Sequence, residues 1–109
     1  MKTSIEDKIA VLDRETEKLI AEAGEHIFSR LGERIAALNL RFDEASQAGS
    51  TTCEVVVQSA NRVQILARHQ DRDALKAALT ALERARVQVR RVLRKPRTVP
   101  SRDLALTAS

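Results

Sequence analysis

The stretch CEVVVQSANRVQILARHQDRD, residues 53–73, decides the fold, because it lies between two segments of helical periodicity and its pattern fits a helix or a sheet. Three consecutive valines, 55–57, are β-branched, which disfavours a helix and suits a pleated strand. Apolar and polar residues alternate on both sides of the turn residues Ser-Ala-Asn at 59–61. The pattern predicts a β-hairpin with strands at 53–58 and 62–68.

Residues 35–42 extend the predicted sheet. Leu38, Leu40 and Phe42 alternate with smaller or polar residues, a period of two that is typical of a strand. A loop at 46–51, SQAGST, joins this strand to the hairpin. The three strands form an antiparallel meander with one apolar face. The polar set expected on the opposite face comprises Asn39, Arg41, Gln58, Arg62, Gln64 and Arg68.

A first helix is predicted before the sheet. Thr3 or Ser4 precedes Glu6 or Asp7 by three residues, which is the spacing of a capping box. The helix is therefore expected to begin near Ser4 and to end at about residue 31, before a glycine that suits a C-terminal cap. Its predicted apolar stripe consists of Ile5, Ile9, Leu12, Leu19, Ala23, Ile27 and Leu31.

A second helix is predicted after the hairpin. Asp71 or Asp73 supplies its cap, and Pro96 ends it, so the helix covers residues 73–95. Its predicted buried stripe consists of Leu75, Ala78, Leu79, Leu82, Ala85, Val89 and Leu93.

These elements predict an α+β fold, in which an antiparallel sheet of three or four strands carries both helices on its apolar face. The element order is α-β-β-β-α, or β-α-β-β-β-α if residues 7–12 form a strand. A chain of 109 residues is long enough for one core. We expect a single domain over residues 1–95 and a disordered basic tail over residues 96–109.

The charge of the chain is asymmetric. Residues 1–50 contain 7 Lys or Arg against 10 Asp or Glu, whereas residues 51–109 contain 12 against 5. The excess is concentrated in RARVQVRRVLRKPR, residues 84–97, which has no acidic residue. Of the 19 basic residues 14 are arginine, whose planar fork matches phosphate. A basic face is often only solvated surface, but this block favours a polyanionic partner, RNA or the ribosome.

No enzymatic site is indicated. His69, Asp71 and Asp73 stand two residues apart, but an Asp at a strand-to-helix junction is more often a helix cap than a metal ligand. Cys53 begins an apolar strand, which favours a buried structural thiol over a nucleophile. Three scattered glycines cannot form a phosphate-binding loop. We therefore expect no catalysis, no metal and no cofactor.

The sequence shows no leader and no apolar run long enough to cross a membrane, so a cytoplasmic protein is expected. If the first strand is absent, the strand at 35–42 has an exposed edge. Self-association through that edge, or through Ile5, Ile9 and Leu12, is then expected.

Residues 28–42, FSRLGERIAALNLRF, together with residues 53–91, resemble the ribosome hibernation promoting factor family, the ribosome-associated inhibitors of translation. The resemblance covers about residues 27–95. The resemblance rests on four short motifs: Ser29-Arg30-Leu31, Arg34-Ile35, Ala77-Ala78 and Leu82-Glu83-Arg84. Members of that family begin with a strand, and here residues 7–12 are the only candidate.

The resemblance implies binding to the small ribosomal subunit near the mRNA and tRNA sites, with basic residues on RNA phosphates, and modulation or silencing of translation. The candidate RNA-binding residues are Arg62, Arg68, Arg84, Arg90, Arg91, Arg94, Lys95 and Arg97.

Two alternatives remain open at the level of the sequence. A helical coiled-coil adaptor or chaperone would use residues 4–31 as a pairing stripe and would need residues 53–68 to be helical. A small DNA-binding protein would place the basic helix in a groove, although no helix-turn-helix spacing is evident.

Overall fold

The computed structural model describes residues 1–94, apart from the side chains of residues 32, 33, 93 and 94. The elements are β1 (Lys2–Asp7), α1 (Arg14–Phe28), a 3₁₀ segment (Ser29–Arg34), β2 (Ile35–Glu44), β3 (Thr51–Ser59), β4 (Gln64–Asp71) and α2 (Ala74–Arg94). One sheet of order β1-β2-β3-β4 carries both helices on the same face. The predicted α+β class is confirmed, with the β-α-β-β-β-α order.

The hairpin predicted from residues 53–68 is present. β3 and β4 pair antiparallel, with Val55 opposite Ala67 and Val57 opposite Ile65, and all four side chains are buried. At the turn, the backbone N–H of Val63 donates to the hydroxyl of Ser59 at 3.1 Å. The alternation of β-branched residues thus outweighs the helical periodicity of the flanking segments.

β2 has the predicted inward face, because Leu38, Leu40 and Phe42 are fully buried. Its first residues differ from the prediction: Ile35 is buried. The pairing with β3 shifts register between Ile35 and Ala37. A shift of this kind is typical of a β-bulge, which moves the residues before it to the other face.

The prediction of a helix from Ser4 was wrong. Residues 2–7 form β1, which pairs parallel with β2 and places Ile5 opposite Leu40, so the sheet is mixed rather than wholly antiparallel. The candidate strand at residues 7–12 was also misplaced, since β1 lies earlier in the chain. The competing signal was the period of two over residues 2–7, where exposed and half-buried residues alternate.

The residues assigned to a helical cap have another role. The carboxylate of Asp7 accepts hydrogen bonds from the backbone N–H of Val11, at 3.2 Å, and of Leu12, at 2.9 Å, and so holds the loop after β1. Asp13 is the N-cap of α1, because its carboxylate accepts from the N–H of Thr16 at 2.7 Å.

The buried stripe of α1 differs from the predicted one. Ile20, Gly24 and Phe28 are buried, whereas Leu19 is 53% exposed. The predicted stripe was counted from apolar residues before position 13, and those residues are not part of the helix. An error in the start of a helix therefore rotates the whole predicted face.

α2 begins where predicted, since the carboxylate of Asp73 accepts from the N–H of Leu75 at 2.9 Å. Leu79, expected in the buried stripe, is 40% exposed. The residues of α2 that are buried against the sheet and α1 are Ala77, Ala78, Ala81, Leu82, Ala85 and Val89. A line of alanines permits close approach of the helix to the sheet, and it shifts the centre of burial away from Leu79.

The reason for expecting self-association is removed. β1 covers the edge of β2, and Ile5 and Leu12 pack against the core of their own chain, while Ile9 is half-buried. Neither that edge nor this apolar set is free for a second copy.

The end of the predicted second helix at residue 95 and the predicted tail at 96–109 lie outside the described residues. None of the helices within residues 1–94 combines the length and the apolar character needed to cross a membrane.

Candidate nucleic-acid interface

The topology brings several loops and helix ends to one end of the sheet. β2 begins beside the β3–β4 turn, where the N–H of Ala60 donates to the carbonyl of Arg34 at 2.8 Å. β1 also begins there, since Lys2 lies opposite Ala37. Each helix follows a strand and packs back along the sheet, so α1 and α2 both finish at this end.

Basic residues are concentrated at this end, which we call the basic end. Its members in the described part of the chain are Lys2, Arg30, Arg34, Arg62, Arg86, Arg90 and Arg91. All of them are exposed except Arg86, which is partly buried. They come from four separate segments of the sequence, so only the fold collects them into one surface.

The opposite end of the sheet carries acidic residues: Asp7, Asp13, Asp43, Glu44, Asp71 and Asp73. Asp13 and Asp73 cap the two helices, and the backbone hydrogen bond from Thr16 holds the pKa of Asp13 below its ordinary value. Carboxylates at helix N-termini are favourable because the helix dipole is positive there. The opposite end also holds Lys8, Arg14, Arg72 and Lys76, so its charges nearly balance, whereas the basic end has an excess of positive charge that attracts an anionic partner.

A groove of about 520 Å³ lies at the basic end, between the end of α1 and the second half of α2. The residues that line it are His26, Ile27, Ser29, Arg30, Leu31, Glu83, Arg86 and Arg90. Within the groove the Nε and Nη2 atoms of Arg86 donate to Oε1 of Glu83, with Nε at 2.9 Å. This contact lowers the pKa of Glu83 and raises that of Arg86.

The arginines of α2 occupy two flanks of the helix. Arg86 and Arg90, four residues apart, line the groove beside α1. Arg84 lies on the other flank, where its Nη1 donates to the carbonyl of Arg68 on β4 at 3.1 Å. Arg91, seven residues after Arg84, follows it on that flank and is exposed. The predicted basic face is thus divided between the groove and the β4 edge.

The sheet face away from the helices carries a row of alternating charges. Glu6, Arg41, Glu54 and Arg68 are neighbours in register across the four strands. Arg68 Nη2 lies 2.8 Å from Glu54 Oε2, and Arg41 lies 3.9 Å from Glu54 and 4.0 Å from Glu6. The structure therefore places Arg68 in an ion pair on the sheet, and the row as a whole carries no net charge.

The remaining predicted residues are placed as follows. Arg62 is exposed in the β3–β4 turn with a φ of 71°. Arg94 is the last residue of α2, its side chain is not described, and Lys95 and Arg97 lie outside the described residues.

The predicted set did not include four residues of the basic end: Lys2, Arg30, Arg34 and Arg86. Arg30 and Arg34 immediately precede a predicted strand, at the end where the hairpin turns, and that position is the signal that could have found them.

Two titratable side chains that the sequence analysis considered, Cys53 and His69, lie outside the basic end. Burial, with a smaller contribution from Glu54, raises the pKa of the Cys53 thiol to about 12, and the thiol is fully buried, as the sequence predicted. His69 Nε2 lies 3.9 Å from Asp71 Oδ2, and within residues 1–94 no three His, Cys, Asp or Glu side chains are grouped as metal ligands. The arrangement is suited to binding anions.

No family model matches the sequence, and no curated protein matches it. Solved structures do match the fold. The N-terminal domain of Protein Y from Thermus thermophilus matches with a TM-score of 0.69 at 13% identity, over 84% of this chain and 99% of that one. A ribosomal subunit interface protein from Coxiella burnetii matches with a TM-score of 0.69 at 13% identity, over 87% of this chain and 100% of that one. The fold expected from the resemblance at residues 27–95 is therefore confirmed.

Proposed function

We propose that this protein associates with the ribosome by binding RNA of the small subunit through its basic end, and that it thereby modulates or silences translation. The observation that carries the proposal is the convergence of arginines from the 3₁₀ segment, the hairpin turn and α2 at one end of the sheet. The fold, which is similar to that of a ribosomal subunit interface protein, supports the same partner. A ribosome-associated protein acts in the cytoplasm.

The chemistry of the basic end favours contacts with the phosphate backbone. Arginine binds phosphate through a planar fork, and neutralised phosphates release counterions, which drives association at low salt. The chain has two Phe residues, Phe28 and Phe42, and no Tyr or Trp, and both Phe side chains are buried, so no such ring is available for bases to stack on. Recognition by shape and phosphate geometry is the mode that these residues support.

Co-sedimentation with ribosomes tests the proposal. The double variant Arg90→Glu/Arg91→Glu changes one residue on each flank of α2, and it should remain at the top of a sucrose gradient while the unaltered protein sediments with ribosomes at low salt. The matched control is Arg14→Glu/Lys18→Glu, which makes the same charge change on exposed residues at the start of α1. The control should still sediment. The proposal fails if the unaltered protein does not sediment, or if both variants lose binding equally.

Of the alternatives, the helical adaptor required a helix over residues 53–68, and the β3–β4 hairpin overturns it. The DNA-binding alternative is tested in the same experiment by competition. Excess duplex DNA should not displace the protein from ribosomes, whereas excess small-subunit RNA should.

A further inference from the structure

The three arginines of the groove between α1 and α2 are in different states. Arg86 donates two hydrogen bonds, from Nε and Nη2, to one carboxylate oxygen of Glu83. Arg30 and Arg90 line the same groove, are exposed, and make no ion pair within 4.0 Å among the described residues. Glu83 is the only described carboxylate in the lining. One acidic residue therefore sets how many of the three guanidinium groups are free.

The Glu83 carboxylate occupies the position that a phosphate oxygen would take on Arg86. Carboxylate and phosphate are the two groups that match the arginine fork. The side chains of Arg86 and Glu83 are 30% and 53% exposed, and exposed pairs contribute little to stability. Water and a competing anion both reach this pair, so it is open to exchange.

We propose that Glu83 is an internal competitor of the phosphate group, and that it limits the affinity of the groove for RNA by occupying Arg86. In the unaltered protein Arg30 and Arg90 contact the phosphate, and the Arg86–Glu83 pair behaves as a neutral unit. This inference rests on the proposed function and goes beyond it, because it assigns a role to Glu83 and extends the site to Arg30 on the 3₁₀ segment.

The test compares Glu83→Gln with the unaltered protein in binding a fluorescein-labelled stem-loop from small-subunit RNA, measured by anisotropy over a range of salt concentrations. Release of Arg86 adds about one phosphate contact, so the slope of log affinity against log salt should steepen by about 0.9. At about 0.1 M salt this corresponds to roughly eightfold tighter binding.

Glu25→Gln is the matched control. It removes the same charge from the neighbouring helix, but Glu25 is exposed and lines a separate groove beside β1, with no ion pair among the described residues. It should leave the salt slope unchanged. An equal gain in both variants is a general charge effect and overturns the inference, as does weaker binding by Glu83→Gln.

The double variant Glu83→Gln/Arg86→Gln gives an independent measurement. Removal of the whole neutral pair should return affinity and slope to those of the unaltered protein, whereas Arg90→Gln should make the slope shallower by about 0.9. If the double variant loses as much affinity and salt dependence as Arg90→Gln does, Arg86 already contacts RNA in the unaltered protein and the inference is wrong.

The outcomes separate this inference from the proposed function. If the unaltered protein and Glu83→Gln both fail to bind RNA, the proposed function falls and this inference falls with it. If the unaltered protein binds and Glu83→Gln has the same slope, only the inference about Glu83 is overturned.

Discussion

A Cβ atom placed on Gly24 of α1 would lie 2.7 Å from Cδ2 of Leu38 on β2. The helix therefore approaches the sheet closely at this point, and Leu38 is fully buried, so its side chain has little room to move. The same Cβ would lie 3.8 Å from Cδ2 of Leu82, which belongs to α2. Gly24 thus lies where both helices and the sheet meet.

Replacement of Gly24 by valine should lower the free energy of unfolding by about 1–3 kcal/mol, because overpacking forces buried side chains from their rotamers. Gly24→Ala should be less harmful, since the gain in helix propensity of about 1 kcal/mol opposes the clash. Urea denaturation measures both. Glu22→Val, on the exposed side of the same helix, is the control for the propensity cost of a β-branched residue. Equal stability of Gly24→Val and the unaltered protein would show that the close approach is absent.

Cys53 predicts a loss of stability at alkaline pH. Burial raises the pKa of its thiol from 9.0 to about 12 in the folded chain. Below pH 9 the thiol is neutral in both states, whereas above it only the unfolded chain ionises. The free energy of unfolding should therefore fall by about 1.4 kcal/mol per pH unit as the pH rises from 9 towards 12.

The contribution of Cys53 is isolated by comparison with Cys53→Ala. The variant is less stable at neutral pH because its smaller side chain leaves a cavity. Above pH 9, however, its free energy of unfolding should fall less steeply with pH, by about 1.4 kcal/mol per pH unit, because the thiol is absent. The thiol of the folded protein should also react slowly with a disulfide reagent until the chain is denatured. If the free energy of unfolding of both proteins falls equally with pH above 9, the prediction is contradicted.

Replacement of Arg62 should have opposite effects on the stability of the fold and on RNA binding. Its φ of 71° lies in the left-handed region, which costs a residue with a Cβ atom about 1–2 kcal/mol. Arg62→Gly should therefore raise the free energy of unfolding by about 0.5–1 kcal/mol, and it should weaken RNA binding because a phosphate contact is lost. Ala10, with a φ of 53°, lies in the loop between β1 and α1, away from the basic end. Ala10→Gly is the matched control and should stabilise the fold without a change in RNA affinity.

Arg68 and Arg91 should differ in their effect on RNA binding, although both were predicted to contact RNA. Arg68 is paired with Glu54 at 2.8 Å, whereas Arg91 is exposed on α2. Arg91→Gln should make the salt dependence shallower by about 0.9, and Arg68→Gln should leave it nearly unchanged. Anisotropy titrations at several salt concentrations give both slopes. A loss with Arg68→Gln as large as that with Arg91→Gln would place the open sheet face in the interface.

The elements that carry a decisive local signal were predictable from the sequence. The three valines at 55–57 and the alternation after Ser59 predicted the hairpin, and Asp73 predicted the start of α2. β1 was not predictable in this way, because six residues at an edge with a half-buried face satisfy a helical period as well as a period of two.

The candidate site was predicted within the basic block of α2 and at Arg62 in the hairpin turn. The arginines of α2 lie within one basic block, but Arg30, Arg34 and Lys2 join them through the pairing of strands that are distant in the chain. Ion pairs could not be predicted from the sequence either, since the contact of Arg68 with Glu54 depends on the register of β3 against β4. Side-chain charge is in the sequence, whereas its neutralisation depends on the fold.

The parallel pairing of β1 with β2 bears on the order in which the chain assembles. β2, β3 and β4 are joined by short turns, and α2 packs on β3 and β4, so this part can form from contacts between sequence neighbours. β1 is synthesised before β2, but its partner residues, from Ala37 to Phe42, follow only after the whole of α1. β1 is therefore made before the other three strands of the sheet but is among the last to be incorporated, and until then it is an unpaired strand.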